Sequence, residues 1–130
     1  MKIIACVDQE MGLMFHQRRQ SQDRIVREKI KELNEVIYMN EYSYSLYKDT
    51  LDHVVVDENY LKIAGDHYCL IEDNQDLNHL EIEEIILFQW NRVYPKDVYL
   101  NIDLSLYHLV SQEDFQGSSH EITKEVYRKE

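Results

Sequence analysis

Lys2-Ile3-Ile4-Ala5-Cys6-Val7-Asp8 is the stretch on which the fold turns. Its apolar residues follow one another without a polar partner at every second place, and an aspartate closes the run. That pattern describes a strand covered on both faces, the kind found inside parallel sheets with helices above and below. Gln9 to Arg19 follows with Gly12 inside it and no sustained period, so it is expected to be a loop. Ser21 is expected to cap a helix running to about Leu33. There Ile25, Val26, Ile30 and Leu33 fall on one stripe and charges fill the rest.

Beyond that helix the alternation continues. Glu35 to Asn40 reads as a second strand and Tyr42 to Asp49 as a short helix with Leu46 and Tyr47 inward. His53 to Asp57 and His67 to Ile71 read as strands, and Tyr60 to Ile63 fits neither period. Glu72 to Glu84 is acidic and poor in β formers, so it is expected to be a loop with one helical turn around Leu77 to Leu80. Glu84 to Phe88 reads as a buried strand. Val98 to Ile102, Leu106 to Ser111 and Glu121 to Arg128 are strand-like. The last two flank the polar stretch Glu113 to Ser119 and are expected to pair as an antiparallel hairpin. Strand–helix alternation followed by strands alone predicts an α/β fold: a mixed, mostly parallel sheet with short flanking helices and an antiparallel C-terminal hairpin.

Bulk properties bound the function. With 130 residues the chain is expected to form one domain, 1–130. Apolar residues make up 44% and charged residues 30%, a balance that suits a packed core. The formal net charge of −11 repels phosphate backbones and anionic headgroups, so neither nucleic acid nor membrane is expected as a partner. Cys6 and Cys69 sit in apolar runs with no CxxC and read as isolated buried thiols. The apolar run at the N-terminus is too short for a secretory signal, and the chain is expected to be cytoplasmic.

Four places in succession resemble the dihydrofolate reductase family. Ile3 to Asp8 with Met11-Gly12-Leu13-Met14 resembles its first strand and mobile active-site loop. Ser21-Gln22-Asp23-Arg24-Ile25-Val26 stands where that family has an acidic residue at the start of the first helix. Ile37-Tyr38-Met39-Asn40-Glu41-Tyr42-Ser43-Tyr44 is similar to the second strand and the helix start used for cofactor phosphate. Ile85-Ile86-Leu87-Phe88 with Arg92-Val93-Tyr94, then Val98 to Asp103, is similar to the later strand, helix start and following strand. The resemblance covers nearly the whole chain and implies a three-layer dihydrofolate reductase-like domain.

The same resemblance exposes departures. Glu41 stands where the family has a basic residue, and a carboxylate repels a phosphate. Gln89-Trp90-Asn91 is matched to the family's glycine pair, and its bulk fills space where backbone must approach a cofactor. Lys48 to His53 holds no arginine for a folate tail, and Pro95 cuts short the helix after Tyr94. No cofactor is expected, and NADPH-dependent folate reduction is not expected. Small proteins similar to this one are also called ribonuclease Z. That zinc enzyme needs a His-x-His-x-Asp-His cluster, whereas the histidines here are 16, 53, 67, 79, 108 and 120, so no metal site is assigned.

Arg18, Arg19, Arg24 and Arg27 crowd the start of the expected first helix in an otherwise acidic chain. They could hold a phosphate or carboxylate there with free helix N–H groups, or simply pair with surface carboxylates. Asp23 is the residue the resemblance would carry over. It would hydrogen-bond the amino-pyrimidine edge of a pterin, or serve only as a first-turn acid. Met11, Leu13, Met14 and Phe15 either cover a flat ligand or close an empty pocket permanently. Trp90 either stacks on a ligand ring or belongs to the core. Tyr38, Tyr42, Tyr44 and Tyr47 read as packing, and His108 and His120 share the terminal hairpin. No Gly-rich phosphate loop, nucleophile elbow or catalytic triad spacing is present.

Two readings of function stand level. One is a non-catalytic module that binds a small anionic or pterin-like ligand, using Asp23, Arg18, Arg19, Arg24, Met14, Met39 and Trp90. The other is a protein-interaction or homo-oligomerisation domain with a filled cleft. Behind both comes an enzyme, either a divergent pterin reductase or a hydrolase. The space between Asp23, Met39 and Trp90 separates them: open for a ligand, packed for an interaction domain.

Overall fold

The computed structural model describes residues 1–130. The chain runs β1 (Lys2–Val7), β2 (Gly12–Phe15), β3 (Arg18–Arg19), α1 (Arg24–Lys31), β4 (Ile37–Met39), α2 (Glu41–Tyr47) and β5 (Val54–Val56). It continues through α3 (Tyr60–Ile63), β6 (Tyr68–Leu70), β7 (Glu84–Gln89), β8 (Val98–Tyr99), a 3-10 turn (Leu104–Leu106), β9 (Tyr107–Gln116) and β10 (Glu121–Lys129). Seven strands form one sheet in the order β5-β4-β6-β1-β7-β10-β9. The pairs from β5 to β7 are parallel, and β10 runs antiparallel to both β7 and β9.

β1 sits near the middle of the sheet, where both of its faces are covered. Ile3, Ala5 and Val7 enter one core with Tyr60, Leu77, Ile82 and Leu100. Ile4 enters the other with Val26, Ile30, Tyr47 and Trp90. Each fully buried isoleucine contributes about 1.5 to 3 kcal/mol by leaving water. The sheet is thus the middle of three layers, as expected for this fold class.

Several elements differ from expectation. Asp23, not Ser21, caps α1, because its carboxylate reaches the N–H groups of Ile25 (2.9 Å) and Val26 (3.1 Å). The helix stops at Lys31, short of Leu33, and Asn34 then takes a left-handed φ of 53°. Gln9 to Arg19 is not a loop. β2 and β3 form a hairpin there, and β8 adds a third strand. The two turn residues, His16 and Gln17, both have positive φ (50° and 63°), which suits the twist of a tight hairpin. Neither residue is the usual Asn or Gly, so the turn carried no signal. Val98 to Ile102 shrinks to β8, and no helix forms within 72–83. β9 extends to Gln116, beyond the expected Ser111, because Gln112 to Phe115 continue the ladder opposite Ile122 to Glu125. No helix is long and apolar enough to cross a membrane.

The connections position a crevice. β1 leads to β4 over one face through α1, while β6 leads to β7 over the other through residues 71–83. Where neighbouring strands send their connections opposite ways, a gap opens beyond their carboxyl ends. Here that gap lies beyond β1, β4 and β6.

Candidate functional site

Asp8, fully buried at the carboxyl end of β1, organises one side of the crevice. Its Oδ1 accepts from the N–H groups of Gly12 (2.8 Å) and Glu10 (2.9 Å). Its Oδ2 accepts from Tyr94 N–H (3.1 Å) and Gln20 Nε2 (3.0 Å), and Lys96 Nζ lies 3.1 Å away. Burial pushes this carboxyl up, but the three N–H donors and the Lys96 ammonium outweigh it and leave its pKa lowered. Lys96 also meets Glu10 at 2.6 Å. A Cβ on Gly12 would stand 2.6 Å from both Gln20 Nε2 and Lys96 Cδ, so the glycine preserves the passage by which those side chains reach Asp8. One carboxylate thereby ties the β2 hairpin, the approach to α1 and the 94–96 segment to β1.

The second tie crosses the crevice. Arg19 on β3 meets Glu72, just past β6, through two parallel hydrogen bonds of 2.9 Å. Their side chains are only 13% and 11% exposed. The guanidinium also lies 4.3 Å from the centre of the Tyr42 ring and donates to Tyr42 O (3.4 Å), while Arg19 N–H donates to Tyr42 Oη (3.2 Å). Burial works against the arginine's charge, and Glu72 more than restores it. A bidentate, stacked pair of this kind holds β3, α2 and the end of β6 together.

Asp23 has its oxygens occupied. Besides capping α1, Oδ1 accepts from Ser118 Oγ (3.3 Å) and Oδ2 from Ser118 N–H (2.8 Å). The β9–β10 turn is thus laid on the start of α1. Gly117 makes this possible, since a Cβ there would come within 2.7 Å of Asp23 Oδ2 and 2.5 Å of Ile122 Cδ1. Between Asp23, Trp90, Arg19, Gln20, Tyr47 and Cys6 remains a cavity of about 20 Å³, room for one water molecule. Burial pushes both Cys6 and Tyr47 up, so this space is lined by a neutral thiol and a neutral phenol. Cys69 is also unpaired, and burial pushes it up to about 12.

The residues expected to form a ligand site therefore do not all meet. Asp23, Arg19 and Trp90 surround the small cavity. Met39 is fully buried in the α1-side core, and Met14 belongs to the core on the opposite face. Arg18 and Arg24 are exposed, so the four arginines do not converge. His108 stands beside Arg128 at one end of the terminal hairpin, whereas His120 lies in the turn at the other. No group of three or more His, Cys, Asp or Glu side chains is arranged to hold a metal ion. Of the residues that seal the crevice, Asp8, Glu72 and Lys96 were not singled out from the sequence, and Tyr42 was read as packing. An aspartate directly after a doubly buried strand was the one signal for Asp8.

The strand end that faces the crevice is that of β6, so Glu72 and Asp73 stand at its floor. Of Gln89-Trp90-Asn91, Trp90 lines the small cavity. Trp90 packs against His120, and Asn91 Nδ2 donates to Thr123 Oγ1 (2.9 Å). At the start of α2, Asn40 Oδ1 accepts from Ser43 N–H and the Glu58 carboxylate accepts from Glu41 N–H (2.9 Å), while the Glu41 side chain is exposed. Adjoining the crevice, and sharing Tyr42 and Asp73 with it, an open groove of about 540 Å³ is lined by Met14, Gln17, Tyr42, Asp73, Asn74, Asp97 and Val98. Its charged residues are both acids.

No family model and no curated protein matches this chain. Among solved structures, it is similar to dihydrofolate reductase from Enterococcus faecalis complexed with NADP(H) and RAB-propyl. The TM-score is 0.63 at 10% identity, over 98% of this chain and 96% of that one. The fold is therefore dihydrofolate reductase-like.

Proposed function

We propose that this chain is a non-catalytic, dihydrofolate reductase-like domain whose cleft is filled by its own side chains and which works through its surface as a protein-interaction module. The observation that carries this reading is the size of the space left between Asp23, Trp90 and Arg19, about 20 Å³. A pterin ring needs many times that volume. It would also need acceptors on Asp23 that Ser118, Ile25 and Val26 already use.

The dinucleotide side argues the same way. Asp73 and Asp97 line the outer groove, and Glu58 occupies the N–H of Glu41 at the start of α2. A pyrophosphate would meet carboxylates where it needs donors, so the residues present do not fit NADPH.

Calorimetry with NADPH, dihydrofolate and folate tests the reading. The expected result is no binding up to about 1 mM, equivalent to less than about 4 kcal/mol. Saturable binding of any of these that disappears in Asp23→Asn would restore the ligand-binding reading. NADPH oxidation with a pterin would restore the enzymatic one.

A further inference from the structure

The groove that adjoins the crevice is open where the cavity beside Trp90 is closed. At about 540 Å³ it has the size of pockets that receive ligands. It lies between the β2–β3 hairpin, the start of α2, the stretch after β6 and the start of β8. Met14, Tyr42 and Val98 give it apolar walls, and its two charged residues are Asp73 and Asp97.

Neither carboxylate meets a cation, since no ion pair of the chain includes Asp73 or Asp97. Asp73 accepts from the side-chain amides of Asn40 (3.1 Å) and Gln75 (2.9 Å), and Asp97 from the backbone N–H of His16 (3.2 Å). All three donors are neutral, so both negative charges persist. The basic side chains next to the groove are already committed. Lys96, beside Asp97 in sequence, holds Asp8 and Glu10, and Arg19 on β3 holds Glu72.

The walls and the charges together select the occupant. No group of three or more ligating side chains is arranged for a metal ion, so a bare cation has no cage here. Apolar walls with carboxylates suit a cation carried on an apolar stem. Arginine has that form: its methylenes lie along apolar surface while a permanently charged guanidinium presents five donors to acceptors. An acidic segment is repelled locally and by the net charge of −11.

We infer that this groove seats an arginine-bearing segment of another protein, its apolar residues against Met14, Tyr42 and Val98 and its guanidinium on Asp73 and Asp97. This rests on reading the chain as an interaction domain, and it names the chemistry of the partner.

Calorimetry on the full chain tests it with a blocked peptide of alternating leucine and arginine, in about 150 mM salt so that long-range attraction is screened. The wild type is expected to bind the peptide saturably below about 1 mM. Asp73→Asn/Asp97→Asn removes both charges and should bind at least ~10-fold more weakly, with an unchanged circular dichroism spectrum. Gln17→Lys, which sets a cation on the exposed lip of the groove, should also weaken binding. Asp49→Asn/Asp66→Asn removes two exposed charges elsewhere and should bind like the wild type. Absence of saturable binding overturns the inference. So does an equal loss in the two double variants, or spermidine binding as tightly as the peptide, since either would make the attraction one of net charge alone. A chain that binds neither the peptide nor NADPH and pterins would leave the filled-cleft reading standing. A chain that binds both the peptide and NADPH would overturn that reading and leave the groove.

Discussion

The crevice beyond β1 and β6 and the outer edge of β9 are opposites in how their polar groups are satisfied. At the crevice, Asp8, Arg19, Glu72 and Asp23 each have partners within the chain, and what space remains fits one water. Along β9 the backbone edge faces solvent, and leucine and valine stand in water. In a ligand-binding α/β protein the crevice beyond the carboxyl strand ends keeps unsatisfied groups for its ligand. Here Gln20 Oε1, beside the small cavity, lacks a partner, while the longer run of unpaired groups lies along the edge. On the proposed reading, function would use the surface that still lacks a partner, since a fold does not fix where function lies.

The contrast can be broken hardest at Asp8. Replacing it by Ala leaves the N–H groups of Gly12, Glu10 and Tyr94 without their acceptor and leaves Lys96 with Glu10 alone. The expected loss is about 4 kcal/mol or more in denaturant unfolding, enough to unfold many domains of this size. Next comes the cross-crevice pair. Arg19→Met should cost about 3 kcal/mol by stranding Glu72, and Glu72→Met should cost a similar amount. The double variant should recover most of that loss, because no charge is left buried alone. If each single change costs less than about 1 kcal/mol, the crevice is not sealed by this pair.

Asp23→Ala should cost about 1 to 2 kcal/mol, through the lost cap of α1 and the released β9–β10 turn. Acid should show the same asymmetry. Asp8 has a folded pKa below its ordinary value of 3.8. Its contribution to stability is therefore complete above that value and disappears as pH falls through the lowered one. Unfolding free energy followed from pH 5 to about 2 should drop more steeply in the wild type than in Asp8→Asn. At the edge, Leu109→Lys and Val110→Lys should change monomer stability by no more than about 0.5 kcal/mol, since exposed residues support no core.

Much of the sheet was legible beforehand because β1 and β7 are apolar runs whose burial needs no knowledge of the rest of the chain. The terminal hairpin was legible for a similar reason, two strand-like stretches around a polar turn. The closure of the crevice was not. Arg19 and Glu72 are 53 residues apart, and nothing local marks either as the other's partner. The His16-Gln17 turn was hidden because its left-handed residues are not those that prefer that conformation. Gln89-Trp90-Asn91 follows β7, on the other side of β1 from β6, and the small cavity is lined both by Trp90 and by Glu72 past the end of β6. The edge at β9 was only half visible. Its strands were expected, but exposure on both faces depends on what the rest of the chain leaves uncovered.

Trp90 is the chain's one tryptophan and lines the residual cavity, so its indole N–H gives a single, assigned nuclear magnetic resonance signal at the heart of the claim. Titrating dihydrofolate and NADPH together to about 1 mM should leave that signal where it was, because the space beside Trp90 holds no more than a water molecule. A saturable displacement of the Trp90 resonance would show an accessible cleft and contradict the account.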